Sequence, residues 1–366
     1  MEDYNNMNLS FRPFDASSEL QGQRTLFIEC FPENQGESAA TEDHYKWKFK
    51  TLLNGKAALE YGAYLDNELI GYYAAIPYRY RIEGQWRTAG MVCDVMTGIK
   101  SRGKGVFTKL GVYATGQMAE SGISFVTGYP IRPEVIPGHL KAGWQIMFEL
   151  PMYARFLRLN KYLAAKKLGW LTPLANSVLF LLNSTLALAA LGPSKKAIVR
   201  HFDSKHISDI PGWKNLMDGW HAQVPHCLEK SNEFMRWRLA APHTQYTISV
   251  IYENEIAVGF AISTPTRKEG LDSLGLIDFF VNDQHIGLSN ALMRAVSELG
   301  NAQNRDILIM MLQPNIYRKY KLLYNGFLKT PFKFKLITKV FDPAINRAQL
   351  ENMDNWHLMW IDSDDL

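Results

Sequence analysis

Two kinds of apolar pattern alternate along the first half of the chain. Short runs of β-branched and aromatic residues predict strands at 59–65, 69–80 and 91–96, with a polar hairpin turn between the first two. Apolar side chains at helical spacing predict helices over 17–31 and 106–118. These elements predict an α+β (mixed α/β) fold, in which a mostly antiparallel sheet is flanked by helices.

A glycine-rich turn separates the third predicted strand from the second predicted helix. Gly103 and Gly105 lack the side chains that would keep an anion away from the main chain, while Arg102 and Lys104 add positive charge. The first amides of a helix have no partner within the helix, and the helix dipole adds partial positive charge there. The sequence therefore predicts an anion site of a size that suits a diphosphate.

The sequence also echoes itself at long range. Trp237 follows Trp47 by 190 residues, each within a run of aromatic and basic side chains, and Gly326 follows Gly143 by 183. Similar echoes in one order at nearly one offset indicate a duplicated domain.

We therefore predict two tandem domains. The first covers 1–155 and binds the anion, a helical linker follows at 156–205, and the second covers 206–366. At 283–288, where the glycine-rich turn should recur, the second domain has one glycine and no flanking base. It is predicted to be degenerate, with a role in the acceptor pocket or in stability.

Composition narrows the classes of protein. The chain has 366 residues, 47% hydrophobic side chains and a net charge of +4, and its basic residues are spread out, so no nucleic-acid partner is expected. Three isolated cysteines indicate no disulfide framework, and the histidines at 201, 206, 221 and 226 have no zinc spacing, so no metal is predicted. The polar, acidic start at 1–6 lacks signal-peptide character, and a cytoplasmic location is expected.

An uncharged apolar stretch lies at 168–194, between the predicted domains. Its length would allow a bilayer span, which needs about 20 residues, but Pro173, Asn176 and Asn183 interrupt it. Basic residues flank both of its ends, whereas spanning segments usually have them on one side. Three interpretations stay open: a buried interdomain helix, a peripheral helix at the surface of an anionic membrane, and a true span.

The turn fits neither the nucleotide-triphosphate loop nor the dinucleotide fingerprint. It resembles the Arg-x-x-Gly-x-Gly/Ala pyrophosphate loop of the GCN5-related N-acetyltransferase (GNAT) superfamily, read here at 102–107 with Phe107 in the last place. Phe107 narrows the space beside a diphosphate and leaves the amides intact. A predicted strand at 123–128, a short helix at 133–140 and the ending Gly143-Trp144 follow in the order typical of the family.

The resemblance implies acetyl-CoA, or another acyl-CoA, as co-substrate. In this family the two central strands separate beside the loop, and main-chain groups there bond the pantetheine arm and stabilise the oxyanion. The residues implied in cofactor binding are Val95, Met96, Thr97, Arg102, Gly103, Lys104, Gly105, Val106, Phe107 and Thr108.

Acyl transfer to an amine needs a base to neutralise the amine and an acid to protonate the leaving thiolate. Asp94 is the first candidate base, with a carboxylate paired to a nearby arginine as the alternative. Glu134 is the second, with charge complement to a helix dipole as its alternative. His139, which stands where the family commonly has tyrosine, and Tyr129 are candidate acids; a surface histidine and a core tyrosine are their alternatives.

The resemblance thus implies an N-acyltransferase that moves an acetyl or acyl group from acyl-CoA to a primary amine. The runs 236–238 and 356–364 resemble tandem acetyltransferases of bacterial surface-polysaccharide synthesis, so an amino sugar is the hypothesised acceptor. Two rivals remain. One is an aminoacyl-tRNA-dependent transferase of peptidoglycan bridges, although those enzymes lack the glycine loop. The other is a non-catalytic membrane adaptor with a vestigial fold.

Overall fold

Strands and helices follow one another as the apolar pattern predicts. The structure, a computed structural model, describes residues 8–189 and 197–364. Within those ranges the strands are β1 (Leu9–Pro13), β2 (Leu59–Leu65), β3 (Glu68–Ile82), β4 (Gln85–Thr97), β5 (Phe125–Gly128), β6 (Gln145–Phe156), β7 (Ala197–Asp203), β8 (Cys227–Leu228), β9 (Thr247–Glu253), β10 (Ile256–Lys268), β11 (Leu271–Val281), β12 (Ile307–Met311) and β13 (Leu328–Val340). The α-helices are α1 (Ala16–Cys30), α2 (Glu42–Phe49), α3 (Val106–Glu120), α4 (Ile136–Lys141), α5 (Asn160–Ala165), α6 (Thr172–Ala189), α7 (Trp213–Gln223), α8 (Asn232–Arg238), α9 (Ser289–Ala302), α10 (Pro314–Lys319) and α11 (Arg347–Leu350).

Two-residue turns join β2 to β3 and β3 to β4 as hairpins. Asp66 and Asn67, between β2 and β3, have φ of 48° and 69°, and Glu83 and Gly84, between β3 and β4, have φ of 50° and 78°. Two consecutive positive φ values match the right-handed twist of the flanking strands. The three strands therefore pair as an antiparallel meander.

The first compact unit comprises the residues up to Phe148 with Ala241–His243 and Lys335–Glu351. Its sheet runs β1-β2-β3-β4-β5, and only the β4–β5 pair is parallel. The end of β13 adds antiparallel to β5. Helix α3 buries Val106, Leu110 and Ala114 on this sheet, which places its first turn directly after β4.

The second unit comprises Glu149–Ala240, Thr244–Phe334 and the residues from Asn352 onwards. Its sheet runs β7-β9-β10-β11-β12-β6, and only the β11–β12 pair is parallel. Strand order and direction repeat those of the first unit, with β6 in the position that β13 takes there. Each unit thus receives its last strand from the other half of the chain, and the predicted mixed, mostly antiparallel fold is confirmed.

The described part of the apolar insert is exposed. On α6, Leu174, Val178 and Phe180 are 66%, 57% and 71% exposed. A helix buried between domains would hide these side chains, so that interpretation is wrong for the residues up to Thr185. Within 8–189 and 197–364, no helix has both the length and the apolar character to cross a membrane. The acidic start at 1–6, the end of the insert and its basic flank at 195–196 lie outside the described residues.

A buried ion pair lies in the core of the second unit. Lys230 Nζ lies 2.6 Å from Asp278 Oδ2, and both side chains are 1% exposed. The ammonium also lies 3.3 Å from the centre of the Trp220 ring. Burial raises the pKa of Asp278, so its charged form depends on the neighbouring ammonium.

We expect Lys230→Met to lower the free energy of unfolding by about 3–5 kcal/mol, because it leaves a buried carboxylate without its partner. Urea unfolding followed by circular dichroism measures the change. The matched control is Lys214→Met at the exposed pair of Lys214 and Asp218, whose side chains are 83% and 60% exposed; a loss below about 1 kcal/mol is expected there. Equal losses in the two variants would contradict the prediction.

Candidate active site

Strands β4 and β5 run side by side for only part of β4. Residues 89–92 pair with 125–128, whereas β4 continues to Thr97. On the β3 side a bulge lies at the same point, and Asp94 within it has a φ of 48°. A bulge bends its strand and redirects its main-chain groups. The edge of β4 from Val95 to Thr97 is therefore left without a β5 neighbour.

The loop after β4 directs main-chain amides outward. Gly103 and Gly105 have φ of 75° and 80°, in the left-handed region that favours glycine, and a Cβ added at either would meet no atom within 4 Å. The first bond of α3 runs from Lys109 N to Gly105 O at 3.0 Å. In the loop and the first turn of α3, five main-chain amides have no hydrogen-bond acceptor within the described part of the chain. They are those of Gly103, Gly105, Val106, Phe107 and Thr108. They form an anion site with the partial charge of the helix N-terminus.

One cavity of about 460 Å³ includes both the loop and the open edge of β4 in its wall. Nine of the ten residues predicted to bind the cofactor line it, and Lys104 is the exception. The nine are Val95, Met96, Thr97, Arg102, Gly103, Gly105, Val106, Phe107 and Thr108.

The wall also contains an unpaired hydroxyl. Thr97 is 8% exposed, and its Oγ1 has no hydrogen-bond partner in the described structure. Leaving such a group buried costs about 1–3 kcal/mol. Arg102, Arg132 and Lys141 bring positive charge to the same wall. Free amides and basic side chains together fit an elongated ligand that carries phosphate groups.

Asp94 lies at the bulge and is held by a lysine. Its Oδ1 accepts from Lys48 Nζ of α2 at 2.7 Å, and the two side chains are 12% and 7% exposed. Asp94 does not line the cavity, but it lies two residues beyond Val92, which is the last residue of β4 to pair with β5. It therefore stands where the two central strands begin to separate.

Glu134, the second candidate base, lies in the cavity wall, whereas Tyr129, a candidate proton donor, lies next to β5. Glu134 is exposed, lines the cavity and lies within the 3₁₀ turn Pro133–Val135 before α4. Tyr129 is 8% exposed and directly follows Gly128, the last residue of β5. It lies on the opposite strand from Asp94 at the point of separation.

His139 is buried, so it is not the surface histidine that the sequence suggested as the alternative. It is 5% exposed, and the ring centres of Phe107, Trp144 and Tyr73 lie 5.0, 5.1 and 6.3 Å from its own. Burial lowers the pKa of His139 to about 4. The imidazole is therefore not protonated at pH 7, and this does not favour the role of proton donor.

Several residues of the site were missed by sequence reasoning. Lys48 was not linked to Asp94, although it lies in the aromatic and basic run whose repeat is at Trp237. Cys30 and Phe31, at the end of α1, line the cavity from a segment far away in sequence. No local signal could have found these two, because their proximity to β4 depends on tertiary packing.

In the second unit, β11 and β12 separate in the same way as β4 and β5. The main-chain groups beside that separation, however, form hydrogen bonds with side chains of the unit itself. Residues 273–276 of β11 pair with β12, while β11 continues to Val281. The Tyr320 hydroxyl lies 3.2 Å from Val281 N and 3.0 Å from Val281 O. Asp283 N, in the loop that follows, donates to Gln223 Oε1 at 3.0 Å. These bonds leave little for a ligand to satisfy.

Solved structures of low sequence identity share this fold. A GCN5-related N-acetyltransferase from Anabaena variabilis is 13% identical with a TM-score of 0.63, and the match covers 93% of this chain and 74% of that one. One from Kribbella flavida is 12% identical with a TM-score of 0.59 and coverage of 93% and 73%. N-myristoyltransferase from Saccharomyces cerevisiae, solved with bound myristoyl-CoA, is 13% identical with a TM-score of 0.57 and coverage of 90% and 78%.

No curated protein sequence matches the chain significantly. Residues 11–147 match the family model of the acetyltransferase (GNAT) domain. This stretch includes β4, the glycine loop and α3, the elements that build the cavity. The chain is therefore similar to a GNAT acetyltransferase domain over the residues that build the cavity.

Proposed function

We propose that the protein is an acyl-CoA-dependent N-acyltransferase that acts on a primary amine. The observation that carries the proposal is the cavity whose wall combines the free amides of the glycine loop with the open edge of β4. The amides at Gly103, Gly105 and Val106 suit the diphosphate of coenzyme A. The edge from Val95 to Thr97 suits the amides of the pantetheine arm, which would bond there as an added strand does.

Acyl transfer would then take place where β4 and β5 separate. The amine nitrogen attacks the thioester carbonyl, a C–N bond forms, the C–S bond breaks, and one proton must move from the amine to the leaving thiolate. We assign the base to Asp94, which the ion pair with Lys48 orients. We assign the proton donor to Tyr129, because it directly follows β5 and lies one residue beyond the last pair of β5 with β4.

We also propose an amino sugar as the acceptor, on the resemblance of 236–238 and 356–364 to polysaccharide-synthesis enzymes. Trp237, Arg238 and Trp356 are 6%, 2% and 1% exposed, so they support the core of the second unit and not a sugar contact. A screen of amines with acetyl-CoA, comparing nucleotide-linked amino sugars with peptides and polyamines, tests this acceptor. Acylation of other amines alone would refute the amino sugar and leave N-acyl transfer standing.

The glycine loop favours an acyl-CoA-dependent transferase over the two alternative functions, an aminoacyl-tRNA-dependent transferase and a non-catalytic adaptor. An aminoacyl-tRNA-dependent transferase has no need of a diphosphate loop, and a vestigial adaptor has no need of free amides there. Binding of acyl-CoA without tRNA affinity excludes the first rival. Turnover of the thioester excludes the second.

Gly105→Val should weaken acyl-CoA binding while the unit stays folded. The variant forces a β-branched residue to a φ of 80° and fills the space over the loop amides. We expect the dissociation constant to rise at least tenfold, which removes about 1.4 kcal/mol of ligand-dependent stabilisation in a thermal melt. Gly36→Val is the matched control, since Gly36 has a φ of 82° and equally open surroundings. Loss of the acyl-CoA shift in both variants would point to strain and not to a phosphate site.

Asp94→Asn and Glu134→Gln distinguish the two candidate bases. We expect Asp94→Asn to lower kcat about 100-fold, because the amine loses its proton acceptor, and to leave the acyl-CoA melting shift intact. Glu134→Gln should keep kcat within about threefold, since Glu134 is exposed in the cavity wall and not at the strand separation. Steady-state kinetics with both substrates measures this. A larger loss in Glu134→Gln would reverse the assignment.

The buried His139 gives the stability a specific pH dependence. Its pKa of about 4 lies below the unfolded value near 6.5, so the folded state binds fewer protons. Its contribution is complete above pH 6.5 and is lost as the pH falls towards 4, by about 2–3 kcal/mol at pH 4.5. Urea unfolding of wild type and His139→Leu between pH 7.5 and 4.5 measures the difference, which isolates this histidine from other acidic transitions.

The same variant tests whether His139 takes part in proton transfer. If it does not, the pH profile of kcat/KM has the same apparent pKa values in His139→Leu as in the wild type. A displaced limb, together with unchanged stability at low pH, would show that His139 titrates in the reaction.

A further inference from the structure

Helix α6 directs two asparagines, Asn176 and Asn183, towards the protein. Asn176 accepts from Leu159 N at 2.9 Å and donates to Asn160 Oδ1 at 2.7 Å. Asn183 donates to Phe156 O at 3.3 Å. These residues lie on one face, since positions 176 and 183 are two turns apart. The helix is therefore attached to the second unit through hydrogen bonds of its asparagines.

The opposite face of α6 is apolar and exposed. Leu174, Val178 and Leu181 follow at spacings of four and three residues, which aligns them in one stripe. They are 66%, 57% and 62% exposed, and Leu182 beside them is 51% exposed. A surface helix of a globular protein shows the reverse arrangement, with its apolar stripe on the core. The stripe thus contributes nothing to the folding of this unit.

Aromatic side chains surround the stripe. Before α6, Tyr162 and Trp170 are 41% and 78% exposed. Against α6 lies the 3₁₀ turn Leu322–Asn325, where a Cβ added at the following Gly326 would lie 3.0 Å from Asn183 Oδ1. This turn exposes Leu323 and Tyr324 by 49% and 47%. We name these residues the α6 patch: Tyr162, Trp170, Leu174, Val178, Leu181, Leu182, Leu323 and Tyr324.

Charge is segregated along the two stretches of sequence that supply α6 and the adjoining turn. None of the 36 acidic residues of the chain lies in 150–202 or in 307–341, the two stretches that supply α6 and the adjoining turn, whereas these stretches hold fifteen of the 40 basic residues. Exposed lysines precede α6 and flank the turn, and within the described ranges they make no ion pair. They are Lys166, Lys167, Lys321 and Lys329.

We propose that the α6 patch binds the surface of an anionic lipid bilayer, with α6 lying in the interfacial plane. An apolar stripe accounts for insertion at the acyl boundary, tryptophan and tyrosine for the headgroup level, and the lysines for attraction to anionic lipid. A protein partner fits less well, because lysine is depleted at protein interfaces. The inference is independent of the proposed transferase activity.

Flotation of the full chain with lipid vesicles tests the proposal. We expect binding to phosphatidylcholine vesicles that contain phosphatidylglycerol, weak binding to phosphatidylcholine alone, and release as salt is raised. Each lysine near the surface contributes about fivefold to partitioning, so Lys166→Glu with Lys167→Glu should weaken binding at least 25-fold. Val178→Ser with Leu181→Ser should weaken it at least tenfold on both kinds of vesicle.

The controls carry substitutions of the same kind, Lys→Glu and apolar residue→Ser, outside the patch. Lys205→Glu with Lys214→Glu changes the net charge equally, and Ile256→Ser replaces an apolar residue that is 67% exposed; both should bind as the wild type does. Equal loss in the charge control would mean non-specific attraction and would overturn the proposal.

Two further outcomes would also overturn it. Absence of binding to anionic vesicles by the wild type is one. The other is a dimer in sedimentation velocity that Val178→Ser with Leu181→Ser dissolves while vesicle binding is unaffected, which would assign the patch to a second copy. The acyl-CoA melting shift of each patch variant should equal that of the wild type, so a failed transferase proposal cannot be mistaken for a failed membrane proposal.

Discussion

The separation of β4 from β5 is the constraint on which the site depends. Pairing ends at Val92 and Gly128, and the bulge holds Asp94 at a φ of 48°. A positive φ at a residue other than glycine costs of order 1 kcal/mol or more, and the Thr97 hydroxyl is left unpaired nearby. The first unit therefore maintains an unsatisfied edge that a ligand can complete, while the ion pair with Lys48 fixes the carboxylate at its end.

The second unit shows what the same architecture does without a ligand. Its strands separate at the equivalent place, but the Tyr320 hydroxyl bonds the main chain at Val281. Asp278 lies two residues beyond the last pair of β11 with β12, as Asp94 does relative to β4 and β5. Its partner there is Lys230, and both side chains are 1% exposed. In the second unit these groups serve stability. In the described part of the first unit, five amides of the glycine loop and the first turn of α3 have no such internal partner, which is consistent with the proposed ligand site.

Local features were predictable from the sequence, and long-range ones were not. The glycine loop, the helix after it and the two-residue turns follow from residues close together in the chain, whose φ preferences and apolar spacing act locally. The placement of β6 and β13 does not, because an apolar strand carries no information about which sheet edge it joins. His139 shows the same limit: its position in the motif was clear, but the rings that bury it come from β3, α3 and the residue before β6.

Helix α6 could not be interpreted from its composition, because an uncharged apolar run suits a core, a membrane surface or a span equally well. The asparagines decide between these. Asn176 and Asn183 interrupt the apolar run, and their hydrogen bonds to the chain at 156–160 fix which side faces the protein. Because that side faces the protein, the apolar residues of the other side have no protein core to enter, and a lipid interface is the environment that we propose for them. Hydrogen bonding on one face thus determines what the other face can bind.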